Sequence, residues 1–482
     1  MTKYIFLPIL ISLSLYAKPQ TNQEQIDLLV KEVQNLKKEV ATLKQNQEDS
    51  DENINEISDL AESTEANRFK DKINFGLGFK TNLDNFTKKY ANGKNVKSNN
   101  IWSNKLMLNM KADIVDNMNF YGRLSMYKYW GSNNIHPYTY YDNMQGRVPA
   151  DSGIYVERAY INWFFNKETS FPMALTIGRQ PSSDGPSNQF KDNTKRKGTY
   201  SALLYDGAAD GIVLTTNISK LINNPQSYVR IGYSKGYGYS ETSDTAGNAF
   251  IGASNNDIKD TDVIGIFLDT SVPNIKNSLI QISYSHMMDI VANPLDKNST
   301  NGNNPNIGSL DLYGAMVEFT NFQETNLDIF AQFGYSIAHP NGKGYLISGS
   351  NTKHGLLSNS GDTSDKSGYS TWLGTRYGFG EKQKYKIGLE YNYGTKNWIN
   401  LTQGSFDIYN KLSTRGSAYE AYMMYVINRY ANVRLGYVNI DYNYSRSAWF
   451  VGESQKISSS MTNAEQNLEK LQSIYLKMSL HF

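Results

Sequence analysis

From Asp71 to Phe482, apolar and polar residues alternate with period two in one short run after another. Ile73, Phe75, Leu77 and Phe79 share one face of KINFGLGF; Leu106, Leu108, Met110 and Ala112 share one face of KLMLNMKAD. Such alternation predicts strands with one apolar face. Strands are predicted over 71–80, 103–115, 118–129, 154–165, 172–180, 208–217, 226–236 and 261–271. Eight more follow over 278–288, 311–320, 326–336, 369–379, 384–394, 417–428, 431–442 and 472–482. Long connections follow each odd-numbered segment, and short turns such as VDN near 116 and GEKQ near 381 follow the even ones. A soluble sandwich has no reason to alternate its connections in this way, whereas a transmembrane barrel does. Strands of about 9–11 residues, tilted by about 45°, also match a bilayer. The predicted fold class is all-β: a transmembrane antiparallel β-barrel of about 16 strands over 68–482, preceded by an α-helical coiled-coil segment.

That preceding segment, 18–67, has a different period. Ile26, Val33, Val40 and Ile54 fall on one heptad position, and Leu29, Leu36, Leu43 and Ile57 on another, with Gln47 and Ser50 as a polar layer. Charged residues fill the positions between, so the pattern predicts a coiled coil with these eight apolar residues as its seam. β-Branched residues on the first position with leucine on the second favour two strands. Before it, Lys3, the apolar run Ile5–Leu15 and Leu15-Tyr16-Ala17 read as a cleaved signal peptide over 1–17. About 11 apolar residues are too few to cross the hydrocarbon core of a membrane.

Composition agrees with a barrel. Only 39% of residues are hydrophobic and mean hydropathy is −0.54, because alternate residues of a barrel strand face water. The chain is rich in tyrosine, with 35, which suits interfacial girdles at strand ends. Net charge is +2, which gives no reason to expect nucleic acid as a partner. Cysteine is absent, which removes disulfides and thiolate metal sites. No cofactor is expected.

The final strand, SIYLKMSLHF, ends on an aromatic residue. An exported, cysteine-free, alternating chain with such an ending resembles the Gram-negative outer-membrane porins. The resemblance implies that Phe482 and the alternating residues before it, Tyr475 among them, are the signal read by the barrel-assembly machinery. A second match is LTIGRQPSSDGP, Leu175–Pro186, which resembles the strand before the third external loop of trimeric sixteen-stranded porins. In those proteins this loop folds inward and narrows the channel. The resemblance thus implies that the third long loop, 181–207, folds into the pore, and that the chain forms a homotrimer. It also implies an outer-membrane location in contact with lipid and lipopolysaccharide. The N-terminal coiled coil departs from general porins and is closer to porin-like proteins that carry a periplasmic coiled coil.

Parity sorts the charges. Lys80, Lys105, Lys111, Arg123, Arg158, Arg230, Arg434 and Lys477 fall on lumen positions together with the carboxylates Asp113, Asp328 and Glu390, and positive charges on the lumen face outnumber negative ones by about three to one. The third loop adds Asp184, Lys191, Asp192, Lys195, Arg196 and Lys197. Charged rings in a constriction bias ion passage. The expected function is therefore a water-filled channel for small hydrophilic solutes, with a mild preference for anions. A structural or adhesive barrel linked by its coiled coil to periplasmic partners is the alternative. Arg179 resists the scheme, since it shares parity with Met173, Leu175 and Ile177 and so points outward.

No enzyme is expected. A barrel lipase needs neighbouring Ser and His on the lipid face. His286 has the right parity, but its same-face neighbour on the strand is Met288. His136, His339 and His354 fall in predicted loops, and no nucleophile elbow, phosphate loop or HExxH motif occurs.

Overall fold

The computed structural model describes Lys37 and residues 73–131, 153–207, 209–237, 259–292, 305–346, 352–402 and 409–482. The signal peptide and the coiled-coil seam lie outside the described residues. Strands run in chain order as β1 (Ile73–Tyr90), β2 (Asn95–Val115), β3 (Met118–Tyr129), β4 (Tyr155–Phe165), β5 (Met173–Arg179) and β6 (Asp210–Asn217). They continue as β7 (Tyr228–Tyr237), β8 (Thr261–Thr270), β9 (Ser278–Met288), β10 (Gly308–Phe319) and β11 (Leu327–Pro340). Three short strands, β12 (Tyr345–Leu346), β13 (Lys353–Gly355) and β14 (Ser358–Asn359), form a small sheet of their own. The last five are β15 (Lys366–Phe379), β16 (Tyr385–Gly394), β17 (Gly416–Asn428), β18 (Ala431–Tyr442) and β19 (Leu468–His481).

β1–β11 and β15–β19 close into one barrel of sixteen antiparallel strands, each paired with its neighbours in sequence. Closure is the pairing of β19 with β1, where Leu77 and Phe482 exchange both backbone hydrogen bonds. A closed ladder leaves no edge strand with unpaired backbone groups. Each of the sixteen predicted segments coincides with one barrel strand. The expected long loop after the first strand is replaced by hairpin. β1 and β2 run on past their predicted ends to a tight turn at 91–94, because TNLDNFTKKY and NVKSNNIW continue the ladder.

Alternation decides which face each side chain takes. On β17, Ala418, Glu420, Tyr422 and Met424 are buried, while Tyr419, Ala421, Met423 and Tyr425 are exposed. The outward residues are apolar: Leu389, Ile231 and Ile474 are more than half exposed. Inward ones are charged: Glu420, Arg230 and Arg434 are each 5% exposed. This inverts the soluble arrangement and suits a barrel whose outside meets hydrocarbon. Two aromatic rows bound the apolar belt. Tyr284, Tyr313, Tyr335 and Tyr369 stand in direct register across β9–β15 near the end of the barrel that carries the long connections. Phe379, Tyr385 and Tyr425 do so near the end with the short turns. Tyr369 and Phe379 are ten residues apart on β15, which at strand rise and barrel tilt is about 25 Å, the height of a bilayer's apolar band.

Part of the lumen is filled by loops. Leu203, Leu204, Trp372, Trp398, Ile399 and Phe190 form a core inside the barrel, built from the loops 180–209, 395–415 and 443–467 against the wall.

Candidate functional site: a charged gap beside an inward loop

Loop 180–209 leaves β5 at Gly178-Arg179-Gln180. Gly178 has φ +124, and a Cβ there would lie 2.3 Å from the Ala159 carbonyl oxygen, so only glycine makes this departure. Arg179 points outward, as its parity requires, near the end with the long connections. It donates to both carboxylate oxygens of Asp210, at 3.1 and 2.9 Å, and to the Val156 carbonyl. A bidentate partner answers the apparent conflict of an arginine on the lipid-side parity.

The loop then crosses the lumen, held at each wall it meets. Ser183 donates to Glu157 (2.9 Å), and Arg158 donates to the Ser183 and Lys197 carbonyls (2.9 and 3.0 Å). Arg123 lies 3.3 Å from Asp184 and 3.4 Å from Glu157. Further on, Ser187 and Gln189 donate to Glu318 on β10, each at 3.0 Å. Phe190 stacks on Phe330, and its carbonyl accepts from Arg376 at 2.6 Å. Asp192 reaches the far wall, 2.6 Å from Lys80, 3.2 Å from Lys477 and 3.9 Å from Arg434. On its return the loop buries Leu203 and Leu204 beside Gln332 and Trp398.

Between this loop and the wall formed by β1–β3 and β17–β19 lies a gap. Lys80, Lys105, Arg434 and Lys477 face it from the wall; Asp184, Asp192 and Asp206 face it from the loop. Lys191, Asp84 and Glu420 also line it. Tyr475 packs its ring over Gly436 and donates to Glu420 at 2.5 Å. Lys411, from loop 395–415, sits between Glu390 (2.6 Å) and Glu420.

Of the residues proposed from sequence, Lys105, Asp184, Lys191 and Asp192 line the gap. Arg123 and Arg158 stand behind Asp184 and anchor the loop. Lys111 pairs with Asp113 (3.1 Å), outside the gap, and Arg230 pairs with Asp269 (2.7 Å) on the opposite wall. Lys195 is exposed, and neither it nor Arg196 nor Lys197 lines the gap.

The expected three-to-one excess of positive charge does not hold. Asp84, Glu157, Asp269, Glu318 and Glu420 are further inward carboxylates. Glu157 escaped parity because β4 carries a bulge: Arg123 pairs with Arg158 and Leu124 with Val156, so consecutive Glu157 and Arg158 both turn inward. Asp206 sits on a loop, where no periodicity marks it.

Burial alone would raise the Asp192 carboxyl, but Lys477, Lys80 and Arg434 outweigh it and hold it well below the ordinary 3.8. A carboxyl depressed by folding stabilises the docked loop fully above its unfolded value and loses that contribution only as pH falls through the lower folded value. The contribution of Asp192 to loop docking is therefore expected to be unchanged between about pH 8 and pH 5. Comparing the pH titration of channel current in the parent and in Asp192→Asn checks this; a step near pH 6 present in the parent and lost in the variant would contradict it.

His286 stands on β9 as expected, His136 lies outside the described residues, and His339 departs from expectation. His339 is on the end of β11 rather than in a loop, with its ring nitrogens 2.9 Å from Asp311 and 2.8 Å from Asp365. His286 is held by Asp311 at 2.7 Å. With both nitrogens of His339 engaged by carboxylates, that ring has no nitrogen left to activate a nucleophile.

Fold and site together define a sixteen-stranded membrane barrel with an inward-folded loop beside a charged gap. The chain belongs to the family described as protein of unknown function (DUF3373), whose model matches residues 95–482. No curated protein matches the chain. Among solved structures it is similar to Pseudomonas putida OprB at high pH (10% identity, 85% of this chain and 94% of that one, TM-score 0.46). It is also similar to Salmonella typhi OmpF in complex with daunomycin (11%, 85% and 98%, 0.44). A third is OmpT, an outer membrane protein of Vibrio cholerae (10%, 84% and 98%, 0.42).

Proposed function

We propose that this protein is an outer-membrane channel for passive diffusion of small hydrophilic solutes, with the long connections outside the cell and the short turns in the periplasm. The observation that supports the reading is the gap itself: a charge-lined space along one wall of a barrel whose lumen is otherwise largely filled by its loops. Basic groups there (Lys80, Lys105, Lys191, Arg434, Lys477) face as many carboxylates (Asp84, Asp184, Asp192, Asp206, Glu420). Opposed charges in a narrow, low-dielectric space favour small polar solutes over apolar ones, and their balance leaves any preference for anions mild. Swelling of proteoliposomes in amino acids and in sugars of rising size tests this. Swelling that falls off with solute size is expected; rates equal to protein-free vesicles would refute it.

Export by a cleaved signal peptide, a homotrimer, contact with lipopolysaccharide, and a coiled coil reaching periplasmic partners belong to the same proposal. Assembly through the last strand does as well. Phe482 is half exposed at the end of the closing strand, where its ring is open to a receptor without disturbing the lumen. Deleting Phe482 should lower folded barrel in the membrane several-fold while leaving single-channel conductance unchanged. Heat-modifiable migration measures the yield, and normal yield would count against the assignment.

A further inference from the structure

Across β6, β7 and β8 the inner wall carries two adjacent rows without a large side chain. Pairing places Val213 beside Gly232 and Gly232 beside Gly265 in one row, and Gly211 beside Ser234 and Ser234 beside Val263 in the next. The Phe267 ring lies over Gly265, where a Cβ would stand 2.9 Å from it, so the recess is the space left above Gly232 and Ser234. Below it the next row holds Arg230, already paired with Asp269, and Phe267. From the lumen, loop 180–209 covers it with Tyr200 and Tyr205, whose rings pack against Phe267. The space shares no lining residue with the charged gap.

Its chemistry is the opposite of the gap's. Among the described residues, no charged one lines it. Tyr205 is committed to Ser285 at 2.7 Å, but the hydroxyls of Tyr200 and Ser234 have no hydrogen-bond partner among the described residues. Burial pushes the Tyr200 phenol up to about 12, so it is a neutral donor at physiological pH. An aromatic-roofed, uncharged recess with two open hydroxyls suits a ligand with one apolar ring and one polar substituent.

We infer that this recess binds an uncharged single-ring aromatic alcohol or phenol, its ring between the glycine rows and the tyrosine roof and its hydroxyl at Tyr200 or Ser234. The inference does not rest on the channel reading, since binding is read in solution whatever current the barrel carries.

The test uses the full folded chain in detergent and fluorine NMR of 4-fluorobenzyl alcohol. Saturable broadening is expected, with 4-fluorobenzoate and 4-fluorobenzylamine at least tenfold weaker. Gly232→Leu puts a side chain into the recess, where a Cβ already stands 3.2 Å from Val213, and should weaken binding at least tenfold. Should that variant fail to show heat-modifiable folding, Tyr200→Phe serves instead: it should weaken the alcohol about threefold or more and leave 4-fluorotoluene unchanged. Equal binding by the charged analogues, full binding by a folded Gly232→Leu, an unselective Tyr200→Phe, or only the non-saturable partition seen in empty micelles would each overturn it.

Discussion

Replacing Asp192 by asparagine is expected to turn a nearly balanced gap into an anion-preferring one. Among the described residues, Asp192 is the one carboxylate that meets Lys80, Lys477 and Arg434 together. Asparagine keeps its shape and a hydrogen-bond acceptor for Lys80, so the loop stays docked through Glu318, Gln332 and Arg376. What changes is the field. One uncompensated positive charge about 4 Å from a passing ion is worth about 1 kcal/mol in water-like dielectric and more in a narrower space, or about fivefold in relative permeability. The reversal potential across a salt gradient should move toward the anion value by that ratio. An unchanged reversal potential would mean that ions do not pass Asp192.

Arg415 carries the second large effect. It is fully buried and meets no carboxylate among the described residues. Its guanidinium donates to the carbonyls of Trp398 (2.9 Å), Trp449 (3.0 Å) and Ser445 (3.4 Å), and to the Ser454 hydroxyl. One planar fork thereby ties loop 395–415 to loop 443–467. Methionine at this position fills similar space but leaves the buried carbonyls without donors, at about 1–3 kcal/mol each before water enters. The loss falls on the two loops, since the barrel ladder is untouched. Arg415→Met should therefore become cleavable by thermolysin within 395–415 or 443–467 and give a noisier, larger current, with heat-modifiable migration unchanged. Arg415→Lys keeps the charge and loses the fork, so an intermediate result is expected. Cleavage no faster than in the parent would show that other contacts hold the two loops.

Strand positions were legible because a barrel wall imposes strict alternation: Tyr419, Ala421, Met423 and Tyr425 cannot share a face with Glu420 and Tyr422 unless the period is two. The same rule placed Lys105, Arg434 and Lys477 inward. It failed at Glu157, where one bulged residue breaks the count, and at the extended β1–β2 hairpin, whose polar far end looks like loop. Asp206, Lys411 and Arg415 were out of reach for another reason. Each owes its position to contacts between residues far apart in the chain, which local periodicity does not encode. The consequence is largest for charge. Wall lysines and arginines read alone suggested an anion path, whereas carboxylates supplied by loop 180–209 and the bulge restore the balance.

The central claim, that solutes pass through the gap beside loop 180–209, is tested most directly by single-channel recording of the purified protein in planar bilayers. Discrete, ohmic current steps with a reversal potential that shifts toward anions in Asp192→Asn are the expected result. Absence of steps above the bilayer background, or steps indifferent to Asp192, would contradict it.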